Sequence, residues 1–177
     1  IWGDLPLRLD RITVASSTNC PRSHFARVYE QIVADLEFAQ SHMRTPEEVS
    51  AMGSTVPRPD RYAATAYLSS VYVTIGSLLA HPEDNFWDTS KPGRIPDFSE
   101  LGIVTSKDAY AKALECAEKI IPESDTYDAG CRYRLLERFS DLFQFTPSFS
   151  RNGYTAWNHP EQIFVLTFSP TSAAVSY

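Results

Sequence analysis

The stretch RYAATAYLSSVYVTIGSLLA, residues 61–80, decides the fold. Its centre holds Val71, Val73, Thr74 and Ile75, β-branched residues that locally favour a strand. The apolar spacing argues for a helix instead. Ala64, Tyr67, Leu68, Val71, Tyr72, Ile75, Leu78 and Leu79 recur at helical steps, and the pattern outlasts any ordinary strand. A helix from about Arg61 to Ala80 is therefore expected. Alanines and serines fill the rest of its surface and would let a neighbouring helix approach closely.

Upstream, VYEQIVADLEFAQ (28–40) belongs to a second amphipathic helix, expected over His24 to Met43. Phe25, Val28, Ile32, Leu36, Ala39 and Met43 form its apolar stripe. Glu30, Gln31, Asp35, Glu37 and Gln40 read as a solvated face, and Ser23 stands where an N-cap belongs. Residues 1 to 22 read as an irregular lead-in. Arg44 to Asp60, with three prolines and a glycine, reads as a loop.

Downstream, His81 to Thr105 is a connection far longer than the roughly 4–6 residues usual between elements, and such loops tend to be functional or disordered. A third helix is expected over Ser106 to Ile121, capped by Ser106 and stopped by Pro122. Asp108 falls in its first turn, and Tyr110, Ala113, Leu114, Ala117 and Ile121 form its stripe. Tyr133 to Phe145 has the apolar density of one short helix. Thr146 to Pro160 reads as a loop, and Glu161 to Ser169 as a short strand.

With 177 residues, 43% of them hydrophobic and 21% charged, the composition is that of one globular domain. The formal net charge is -6, and the basic residues are scattered apart from Arg132, Arg134 and Arg138. Nucleic-acid binding needs a concentrated basic surface, so that class is set aside. No run is expected to supply the roughly 18 to 20 apolar residues of a membrane helix. No basic-then-apolar signal segment opens the sequence, so any export signal is expected to have been removed or to lie outside these residues.

Three cysteines, Cys20, Cys116 and Cys131, fit neither a disulfide framework nor a zinc site. Cys116 reads as a small buried thiol; a Cys116–Cys131 bridge is the alternative in an oxidising compartment. Cys20 has no apolar segment before it and is a poor lipid-carrying cysteine.

No catalytic residue emerges. The carboxylates Asp4, Asp35, Glu37, Asp84, Asp88, Asp97, Glu115 and Glu118 lie in no hydrolase motif, and read mostly as solvated helix faces. His24, His42, His81 and His159 show no metal-ligand spacing. Asp84, Asn85 and Asp88 do not fit an EF-hand loop. No nucleophile elbow, phosphate loop or dinucleotide fingerprint is present, so no metal or cofactor is expected and the chain is read as non-enzymatic.

Six blocks fall in a familiar order: WGDLPL (2–7), VYEQIVADLEFA (28–39), RYAATAYLSSVYV (61–73), AYAKALECAEKII (109–121), YRLLERFSDLF (133–143) and EQIFVLTF (161–168). Together they resemble the SusD/RagB family of glycan-binding outer-membrane lipoproteins of the Bacteroidetes. The resemblance implies a mainly α fold of tetratricopeptide-like helical repeats, with long loops and one or two short strands. It implies that residues 1–177 are a single α-helical domain forming an internal portion of a longer, surface-exposed protein. The lipid-attachment cysteine would then precede Ile1, and a carboxy-terminal part would follow Tyr177. The only link to the membrane would be that lipid anchor. Ser69 and Ser70 depart from the family pattern, which there carries a more alanine- or arginine-like pair.

The function so implied is capture of an oligosaccharide or polysaccharide fragment and its delivery to a TonB-dependent, SusC-like transporter. Sugars stack their C–H faces on flat rings while their hydroxyls need polar partners. Phe86-Trp87-Asp88, and Tyr154 with Trp157 and Asn158, supply both ingredients, with Arg94 and Arg151 nearby in sequence. The candidate ligand-binding residues are thus Phe86, Trp87, Asp88, Arg94, Tyr154, Trp157 and Asn158. The competing reading of each ring is an anchor holding a long loop on the core. The rival function is a helical-repeat protein–protein interaction module without a small ligand.

Overall fold

The structure, a computed structural model, describes residues 4–13, 19–51, 58–82, 96–121, 135, 139, 145–146, 149–150, 161 and 163. In chain order its elements are β1 (Leu5–Pro6), β2 (Arg22–Ser23), α1 (Phe25–His42), α2 (Pro46–Ala51) and α3 (Arg61–Ala80). A 3-10 turn (Ser99–Leu101), α4 (Ser106–Glu118), β3 (Phe145–Thr146) and β4 (Phe149–Ser150) follow. The described chain is mainly helical. Its strands form two short antiparallel pairs, β1 with β2 and β3 with β4.

α3 is the central rod, with α1 on one side and α4 on the other. Gln40 meets Thr65 and Glu37 meets Tyr72, so α1 and α3 run antiparallel. Gly76 faces Tyr110, and the Ser69 hydroxyl donates to the Ala113 carbonyl at 2.8 Å, so α3 and α4 are antiparallel too. The small residues Ser69 and Gly76 permit the close approach that the sequence suggested. The expected bounds of α3 hold at both ends. Asp60 caps it, its carboxylate accepting from the backbone N–H groups of Tyr62 and Ala63. By length and composition alone α3 could cross a membrane, contrary to the sequence expectation; here it is packed between two other helices.

The core joins Phe25, Ala26 and Val33 of α1 to Leu68, Tyr72 and Ile75 of α3 and to Ala109, Ala113 and Cys116 of α4. Phe98 and Ile103 complete it from the connection between α3 and α4. Two expected stripes are rotated. On α1, Val33 is buried and Ile32 is exposed; the line on α3 runs through Phe25, Tyr29, Val33 and Leu36. Glu37 is exposed, as its place on the solvated face implies, yet it also meets Tyr72, and half-buried Gln40 meets Thr65. On α4, Ala109, Ala113 and Cys116 face inward, whereas Tyr110 and Leu114 are 42% and 59% exposed, and Ile121 beyond its end is 67% exposed. On α3, Tyr67 is also exposed. On α4 small residues hold the seam because close packing against α3 admits Ala and Cys there and pushes larger side chains to its flank.

Several helix starts differ from expectation. His24, not Ser23, caps α1: its Nδ1 accepts from the Ala26 N–H at 3.3 Å, while Ser23 pairs with Leu5 in the β1–β2 ladder. That ladder gives the lead-in regular structure where none was expected. Within the expected loop 44–60, α2 forms because Thr45, Pro46 and Glu48 make a helix start. Thr45 Oγ1 accepts from the Glu48 N–H, and Glu48 returns a carboxylate oxygen to the Thr45 N–H. Thr105, not Ser106, caps α4, in a reciprocal box with Asp108.

α4 ends at Glu118, short of the expected Ile121. Phe145 lies in β3 and so does not end a helix, and β4 lies within the expected loop 146–160. The rest of the expected helix 133–145 lies outside the described residues, apart from Leu135 and Phe139, which are exposed. Of the expected strand 161–169 only Glu161 and Ile163 are described, in a turn and a bend.

Candidate functional site

All seven candidate binding residues, Phe86, Trp87, Asp88, Arg94, Tyr154, Trp157 and Asn158, lie outside the described residues, as does Arg151. The structure instead defines where their segments attach. The chain leaves α3 at His81, whose backbone N–H still donates to the Ser77 carbonyl at 3.2 Å. It returns through buried Pro96 to Phe98, which is only 1% exposed. Phe86, Trp87, Asp88 and Arg94 fall in the sequence between these two flanks. The second group, 154–158, follows the β3–β4 hairpin.

The return anchor is built locally. Asp97 Oδ1 accepts from the Ser99 N–H at 2.9 Å and starts the 3-10 turn, and that bond holds its carboxyl below the ordinary carboxylate range. Gly102 closes the turn at φ 66, a left-handed conformation that glycine adopts without cost from a Cβ. Phe98 and Ile103 then pair across the turn, and both point into the core. The Phe98 ring meets Phe25 and Tyr29 edge-on, with centroids 6.2 and 5.9 Å away. Edge-to-face pairs of this kind add about 0.5–1.5 kcal/mol each beyond burial. Sequence reading placed Phe98 in an undifferentiated loop. The signal that marks it is Pro-Asp-Phe-Ser-Glu-Leu-Gly, a turn with an apolar residue at its hinge.

One cluster of titratable side chains lies between the helices. The Tyr72 hydroxyl donates to Glu37 Oε1 at 3.3 Å, and Lys112 Nζ sits 5.8 Å from the Tyr72 ring centre. Burial, then the neighbouring Glu37 charge and this hydrogen bond, push the Tyr72 phenol well above its ordinary value. Burial likewise raises the Cys116 thiol. Cys116 is a buried, free thiol here, as the simpler sequence reading had it; Cys131 lies outside the described residues. A phenol held protonated and a thiol held protonated are poor bases and poor nucleophiles. The chemistry of this cluster is therefore cohesive: it links α1, α3 and α4. Among the described residues, no group of three or more His, Cys, Asp or Glu side chains is placed to hold a metal ion.

No protein-family model matches the chain, and neither a curated protein nor a solved structure matches it.

Proposed function

We propose that this chain is the helical portion of a SusD/RagB-type nutrient-binding protein, surface-exposed at the outer membrane and acting without catalysis. It holds an oligosaccharide or polysaccharide fragment and passes it to a TonB-dependent transporter. The observation that carries this reading is the order of the six sequence blocks. The antiparallel α1–α3–α4 stack supports it, being what one and a half tetratricopeptide-like helix pairs would form.

Calorimetric titration with a panel of soluble glycans, repeated with Trp87→Ala and Trp157→Ala, tests it. Loss of at least about tenfold in affinity, roughly 1.4 kcal/mol, is expected for each variant. Binding should change little between about 0.05 and 0.5 M salt, because ring stacking and neutral hydrogen bonds are weakly screened. Unchanged binding in both variants removes this site, and no binding to any glycan removes the function. A second reading, a helical-repeat module that grips a protein, is favoured by the exposed apolar side chains Tyr67, Val73, Tyr110 and Leu114 on α3 and α4.

A further inference from the structure

We draw no further inference here: the strongest candidate, the exposed apolar face that Val73 of α3 shares with Tyr110 and Leu114 of α4, carries nothing because nothing in the structure shows what covers it.

Discussion

The hydroxyl of Tyr72 on α3 donates to the carboxylate of Glu37 on α1 across 3.3 Å, tying together two helices 35 residues apart at this contact. Tyr72→Phe keeps the ring in the core and removes this bond. The expected cost is about 0.5–1.5 kcal/mol by urea denaturation at neutral pH. The folded phenol titrates above the unfolded value of about 10. Its contribution is thus fully present below pH ~10 and is lost as pH rises toward the folded value, because only the unfolded chain then releases the proton. Stability of the parent chain should fall more steeply than that of Tyr72→Phe between about pH 9.5 and 11. Parallel curves would remove Glu37 and burial as the cause.

Gly76 brings α4 close. A Cβ built there would lie 2.6 Å from Tyr110 Cε1 and 2.8 Å from Cδ1. The Tyr110 ring is partly exposed and can swing aside, at the cost of its contact with α3. Gly76→Ala also gains about 1 kcal/mol of helix propensity. The single variant should therefore be close to neutral. In a Tyr110→Ala background the same change should stabilise by about 1 kcal/mol. A double-mutant cycle measures the coupling, and strictly additive effects would show that the ring does not constrain position 76.

At the start of α4, Thr105 and Asp108 cap one another. Thr105→Ala should cost about 0.5–2 kcal/mol. Backbone and side-chain hydrogen bonds from Thr105, the backbone bond first, hold the Asp108 carboxyl below its ordinary value. A depressed folded value means the contribution is fully present above the unfolded value of about 4 and is lost as pH falls through the lower folded value. Asp108→Asn should flatten the acid limb of the stability profile relative to the parent chain. An unchanged limb would place the acid sensitivity elsewhere.

Phe98→Ala should destabilise by about 3–5 kcal/mol, the usual cost of deleting a fully buried aromatic ring. Phe98→Leu keeps most of the buried volume and should fold, while losing the edge-on contacts to Phe25 and Tyr29. If residues 83–95 take part in glycan binding, this second variant weakens binding while leaving the helical circular dichroism intact. Full affinity in Phe98→Leu would separate the anchor from the ligand.

Much of this architecture is readable from residue order, and the failures share a cause. The extent of α3 is legible because twenty residues of helical periodicity outweigh the β-branched cluster Val71, Val73, Thr74 and Ile75, and Asp60 and His81 bound it. The existence of α1 and α4 is legible for the same reason. Their facing is not. On α4 hydrophobicity ranks Leu114 above Ala109 and Ala113, yet the seam buries the smaller residues, because interaxial distance limits side-chain volume there. The start of α2 was legible in Thr45-Pro46-Glu47-Glu48 but masked by the prolines around it. The candidate binding residues rest on sequence alone.

The sequence by itself determined that this protein is built from amphipathic helices, because periodicity of apolar side chains is a local property of the chain. Only the tertiary structure decided which face of each helix is inside, that His24 caps α1, and that Phe98 anchors the long connection. Those choices depend on what a residue meets across a seam or a turn, and a partner many positions away in the chain leaves no mark on local spacing.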